Sequence, residues 1–245
     1  MVGDRLLARA RAVWVDLAGV PVAFPADGKV EVVASAGSRL CPPGWIGIVA
    51  LGGAAIVTVP TDSMGATVHA ALETIPLAAV TEPDRLRAVL PIVEVLGPAS
   101  LAYLDERDFR PAEPSAVPTL AADHPDIAGL LALASTEDAG ESGLAEITSP
   151  AFVARDQTCE VKAAAGYRLW PGNVGHMCVL TAPAWRGRGL ARVVAGAAVG
   201  HALAHQLLPQ WRARPEPSRR VAWRLGFRQL GIQLSIRVGF SSPPS

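Results

Sequence analysis

The stretch Val179–Val194, VLTAPAWRGRGLARVV, decides how the second half of the chain is read. It opens on apolar and β-branched residues, passes Pro183 and the run Arg186-Gly187-Arg188-Gly189, and continues into an Ala- and Val-rich segment. That order predicts a strand, a tight turn and a helix start. The first N–H groups of a helix have no intrahelical partner and sit at the positive end of its dipole. Gly187 and Gly189 leave the backbone bare, and Arg186 and Arg188 add charge, so the turn predicts a seat for an anion such as a diphosphate. Two common phosphate motifs do not fit. The third glycine of a GxGxxG begun at Gly187 is Arg192, and the lysine of GxxxxGK[ST] is missing. A nicotinamide cofactor and a nucleoside triphosphate are thereby disfavoured.

Working outward, AFVAR (151–155) and EVKAAAGYRLW (160–170) predict strands, PGN (171–173) a turn, and VGHMCVLT (174–181) the returning strand. Downstream, the pattern predicts a helix over 189–207 and a short strand over 208–214. A helix then starts at Ser218 and stops at Gly226, and a final alternating strand covers 228–238. DHPDIAGLLALAS predicts a helix capped near Asp123, and TEDAGESGLAE a shorter one. The N-terminal half predicts a helix over 4–18, a strand over 29–35, and a strand pair within 45–60 turning at Gly52–Gly53. Two helices and a strand over 100–105 follow. The Pro-rich stretch RPAEPSAVP reads as a linker. The organisation expected is an N-terminal α/β domain over 1–110, a linker over 111–118 and a second domain over 119–245. The fold class is α/β or α+β with a mixed sheet.

Composition narrows the function. Half of the 245 residues are hydrophobic, enough for a sizeable core. Twenty-two basic residues balance twenty-two acidic ones, so a whole-protein field for nucleic acid or an anionic membrane is absent. From Arg186 to Arg237, however, stand ten arginines, no lysine and one acid, Glu216. Cys41, Cys159 and Cys178 form no CxxC pair, which suits reduced thiols in a cytoplasmic protein. No signal-peptide pattern or membrane-length apolar run is visible. His201 and His205 have i, i+4 spacing, but Ala202 stands where HExxH needs its glutamate, so no metal is expected.

RGRGLA (186–191) fits Arg/Gln-x-x-Gly-x-Gly/Ala. Together with the strand HMCVLTAP before it and SRRVAWRLGF after it, this makes the chain from about 115 to 238 resemble the GNAT superfamily of acyl-CoA-dependent N-acetyltransferases. It looks like a bacterial branch with an added N-terminal domain. The resemblance implies a mixed, mostly antiparallel sheet flanked by helices, beside a smaller N-terminal α/β domain. It implies acetyl-CoA as co-substrate and a small-molecule or peptide amine as acceptor, with direct attack in a ternary complex. By match, the loop amides of Arg188, Gly189, Leu190 and Ala191, flanked by Arg186 and Gly187, hold the coenzyme's diphosphate. The backbone of Val179, Leu180 and Thr181 pairs with its pantetheine arm, with the Val179 N–H facing the thioester carbonyl.

The catalytic groups are less clear. Many family members carry a Tyr acid four residues before the Gly of LGF, which is Ala222 here, and an Asn three before Ser218, which is Pro215 here. Ser218 could donate the proton through a water. His176 titrates in the useful range, yet alternation sets it on the face opposite Val179; Glu141 and Glu216 are the other bases. Tyr167 and Trp211 could line the site or pack in the core. The missing acid keeps a non-catalytic acyl-CoA-binding or regulatory protein as the alternative. The N-terminal half could be a degenerate copy of the same fold, a lid or a homodimer surface.

Overall fold

Asp4 caps the first helix with its carboxylate, which accepts from the N–H groups of Leu6 and Leu7. In this computed structural model the described residues are 4–112 and 117–239, so residues 113–116 of the expected linker lie outside them. The chain divides into two compact units, Met1–Leu101 with Gln229–Ser245, and Ala102–Arg228. The Pro-rich stretch is therefore not where the units part.

In the first unit, α1 (Arg5–Ala18) ends at Gly19 in the left-handed conformation and buries Leu6, Val13, Trp14 and Leu17 at helical spacing. β1 (Val30–Ala34), β2 (Ile46–Leu51), β3 (Ala54–Val59), β4 (Ile92–Tyr103, counted here through Leu101) and β10 (Arg228–Val238) stand in the order β1-β3-β2-β10-β4. β2 and β3 form the expected hairpin through Gly52–Gly53. All six positions of β3 are buried; the run AAIVTV is apolar except for Thr58, whose hydroxyl is bonded to Ser38 Oγ at 2.8 Å. Helices α2 (Asp62–Glu73) and α3 (Pro83–Arg87) supply Val68, Leu72 and Leu86 to the core over β2, β3 and β10. β4 is longer than the strand expected over 100–105, because it runs through Gly97–Pro98, which reads as a break in sequence. β10, assigned from sequence to the C-terminal domain, instead pairs antiparallel with β2 from Ile236/Ile46 to Gly231/Leu51. Periodicity identifies a strand but carries no information about its neighbour.

The second unit orders its strands β9-β8-β7-β6-β5. They are β5 (Thr119–Leu120), β6 (Ala151–Arg155), β7 (Val161–Trp170), β8 (Val174–Thr181) and β9 (Leu208–Ala213). β5 through β8 are antiparallel neighbours, and β8 and β9 are parallel. This is an α+β arrangement in which antiparallel pairing predominates. Helix α6 (Leu190–Ala204) lays Val194, Ala195, Ala198, Val199 and Ala202 on Ala163, Ala165, Tyr167 and Met177. Small residues on both sides let the helix sit close to the sheet. The opposite face of β7 and β8 presents Ala164, Cys178 and Leu180 to Ile127 and Leu130 of α4 (Pro125–Ala132) and to Leu144 and Ile147. Each fully buried Val, Leu or Ile side chain contributes about 1.5–3 kcal/mol.

Two caps differ from expectation. His124, not Asp123, caps α4, its Nδ1 accepting from the Asp126 N–H at 3.2 Å. Helix α7 runs from Glu216 to Arg224, beginning before Ser218, since Pro217 with its fixed φ fits a first helical turn. The α7 exit turns on Gly226, at φ +98°, where an added Cβ would lie 1.9 Å from the Asp108 carbonyl oxygen. Gly226→Ala is expected to lower the unfolding free energy by about 2–4 kcal/mol, measurable as a shift in denaturant midpoint.

Candidate functional site

The β8–β9 ladder is registered at three pairs only, Val174/Leu208, Gly175/Pro209 and His176/Gln210. β8 continues to Thr181 and β9 to Ala213, so the strands part beyond His176. The Ala182 N–H donates to the Lys162 carbonyl on the β7 side at 2.8 Å. Alternation therefore turns the N–H and C=O of Val179 and Thr181 toward the edge that β9 leaves. A cavity of about 770 Å³ opens there, within the second unit, lined by Val179–Thr181, by Arg186–Val193 and by parts of β9, α7 and α5 (Thr136–Ser142).

The loop has the form its sequence suggests. Gly187 and Gly189 have φ +77° and +80°, and a Cβ at either would meet nothing within 4 Å. Gly189 caps α6 without any side-chain bond to the helix. Arg192 and Val193 donate their N–H groups to the Gly189 carbonyl at 3.0 and 3.3 Å. The N–H groups of Arg188, Gly189, Leu190 and Ala191 donate to no described residue. Two side-chain atoms in the lining, Thr181 Oγ1 and Arg192 Nε, are buried and find no partner among the described residues. Unsatisfied buried donors and acceptors are rare in folded proteins. Several around one opening fit a ligand rich in oxygen acceptors, as a diphosphate with an amide-bearing arm would be.

The arginines do different work. Arg186 is tied: its Nη2 donates to Asp138 Oδ2 at 2.9 Å and its Nε to the Thr181 carbonyl at 3.4 Å. The Arg188 guanidinium stacks over Trp185 at 4.5 Å. Arg220 and Arg224 of α7 line the cavity while Arg219 does not. Leu190 and Val179 present their backbones and pack their side chains against the α6 core.

Two of the four catalytic candidates, Glu141 and Ser218, line the cavity. Glu141 accepts from Arg214 on both carboxylate oxygens, with Nε 3.0 Å from each. Ser218 Oγ accepts from Trp211 Nε1 at 3.0 Å. An indole can only donate, so the serine's own proton is directed elsewhere. Trp211 is both cavity wall and core, buried beside Phe227. His176 is not in the lining. Its Nδ1 meets Gln210 Oε1, its ring stacks on Trp170 at 4.3 Å, and burial pushes its pKa down to about 4. It stands at the last registered pair of the β8–β9 ladder, short of the opening. Glu216 pairs with Arg220 at 3.4 Å. Tyr167 is a core residue bonded through its hydroxyl to His201 Nδ1 at 3.0 Å. Ala222 is the buried residue of α7 and packs into the core.

Asp138, Thr181 Oγ1 and Arg192 Nε are the site groups that sequence reading missed. The available signal for the first was its i, i+3 spacing from Glu141 on one helix face. Among the described residues no group of three metal-ligating side chains occurs, and no helix is long and apolar enough to cross a membrane.

Comparison with known proteins agrees with this geometry. Residues 167–232 match the family model described as GNAT acetyltransferase. No curated protein is significantly similar. Among solved structures, the GCN5-related N-acetyltransferase from Kribbella flavida is similar over 98% of each chain at 14% identity, with a TM-score of 0.54. A GNAT-family acetyltransferase from Colwellia psychrerythraea also matches over 98% of each chain, at 11% identity and a TM-score of 0.49.

One expectation concerns His176. Its depressed pKa means the unfolded chain takes up a proton near pH 6.5 while the folded one does not until about 4. The stability it contributes is present above pH 6.5 and is lost as pH falls from 6.5 toward 4. His176→Gln should flatten that limb of the stability–pH curve, read by denaturant titration.

Proposed function

Because residues 167–232 match the GNAT acetyltransferase family model, we propose that this chain moves an acetyl group from acetyl-CoA to a primary amine of a small molecule or peptide by direct attack. The observation that carries this reading is the uncapped start of α6 beside the parted strands β8 and β9. The family implies acetyl-CoA; the open amides of Arg188–Ala191, the space over Gly187 and Gly189, and the buried Arg192 Nε fit its diphosphate. The exposed edge of β8 suits the pantetheine arm as an added strand.

The Val179 N–H then meets the thioester carbonyl oxygen as negative charge grows there, a donor that needs no reorganisation. The amine nitrogen bonds to the carbonyl carbon, and the C–S bond breaks with its electron pair left on sulfur. Glu141, oriented by Arg214, accepts a hydrogen bond from the amine, whose proton leaves through water. Ser218, whose oxygen is already oriented by Trp211, donates its O–H proton to the leaving sulfur as it takes up the proton that water relays from the amine, so the thiol forms and the hydroxyl is restored. His176 takes no part.

One observation favours a second reading, an acyl-CoA-binding protein without turnover: the position of the family's usual tyrosine acid is Ala222, buried and without a proton to donate. Two measurements separate the readings. Acetyl-CoA at a hundredfold excess over its Kd should stabilise the fold by about 2.7 kcal/mol, and Gly189→Glu, which puts a carboxylate where the diphosphate sits, should abolish that. Thiol release with a panel of amines should be detectable for the wild type. It should fall roughly tenfold to a hundredfold in Ser218→Ala with acetyl-CoA affinity unchanged. Stabilisation without release from any amine would favour the binding protein; no stabilisation would remove both.

A further inference from the structure

Helix α5 buries none of its seven residues, and isolated helices of that length are unstable. What fixes it is charge. Asp138 Oδ2 takes the Arg186 guanidinium at 2.9 Å, and Glu141 takes Arg214 on both oxygens. Arg186 is the first residue of the glycine loop and also reaches the carbonyl of Thr181, the last residue of β8. Arg214 directly follows the last residue of β9. The helix is thus lashed to the ends of both strands that part, and Asp138, Glu141 and Ser142 face the cavity they enclose.

Resting on the coenzyme reading above, we propose that Asp138 is a positioning residue that couples the two halves of the site: by holding Arg186 it makes the order of α5, the acceptor-side wall, depend on occupancy of the diphosphate loop. A guanidinium has five N–H donors, and Asp138 and Thr181 engage two of them. A dianion seated on the loop amides draws on the remaining donors of the same guanidinium, so Arg186 bridges the ligand and the Asp138 carboxylate. Both side chains are about half exposed, at 49% for Arg186 and 43% for Asp138. Such pairs are weak alone, which lets a bound charge shift the balance. Arg186 also holds the Asp138 carboxyl below its usual range, with help from Ser135. The coupling is reciprocal: an ordered α5 strengthens coenzyme binding, and coenzyme completes the acceptor wall before the amine arrives.

Hydrogen exchange on the full chain, with coenzyme A as the only added ligand, tests this. In the wild type, coenzyme A should slow exchange at the loop and first turn of α6 (188–193) and, by at least about fivefold, at α5 (139–143). In Asp138→Asn the protection at 188–193 should persist while that at 139–143 disappears, and Asp138→Glu should restore part of it. Undiminished α5 protection in Asp138→Asn, or a wild-type α5 indifferent to a coenzyme that does protect 188–193, overturns the proposal alone. Absence of any effect at 188–193 in the wild type overturns the coenzyme reading and this proposal with it. A variant that merely misfolds would lose protection throughout the second unit without ligand, and Asp138→Glu then decides.

Discussion

Two neighbouring strands that stop pairing partway along create a problem the rest of the second unit answers. Beyond His176/Gln210 the inner edge of β8 faces open space instead of β9. Backbone polar groups need partners, and here they face a channel large enough for a flexible chain with amides of its own. The parting also aims the end of β8 at the start of α6, so the strand edge and the bare helix terminus present their donors to one ligand. An extended molecule with a charged end and an amide-bearing arm is the natural occupant.

Much of this was legible in the sequence because it is local. The turn over Arg186–Gly189, the hairpin at Gly52–Gly53 and the cap at Asp4 follow from residue types at fixed spacings. What was not legible is nonlocal. Nothing in RQLGIQLSIRV says that it pairs with Ile46–Leu51, some 180 residues earlier. The site behaves likewise. Its backbone donors belong to one short motif, whereas Asp138 meets Arg186 and Glu141 meets Arg214 across long sequence separations. Those pairings exist only once the sheet has set the distances. His176 is the instructive case. Its chemistry favours a base, but it lies in the part of the ladder where β8 and β9 still pair, stacked on Trp170.

The arginine-rich half is also clearer in space than in sequence. Ten like charges in about fifty residues suggest a single basic surface, yet they serve separate ends. Arg186 and Arg214 hold α5, Arg188 stacks on Trp185, Arg220 pairs with Glu216, and Arg237 pairs with Glu94 in the first unit. Charge that looks surplus in a linear count is largely spent on internal geometry, which leaves the loop amides and the few arginines at the cavity wall to meet an anion.

The placement of β10 bears on how the chain comes to be folded at all. The strand lies between β2 and β4 but follows every other described element in the chain. During synthesis the sheet of the first unit lacks a central member until residue 238 has emerged, while everything from Ala102 to Arg228 is already available. The nascent N-terminal segment therefore waits with unpaired strand edges, the kind of surface that invites wrong partners, and the later-made unit is free to reach its native form first.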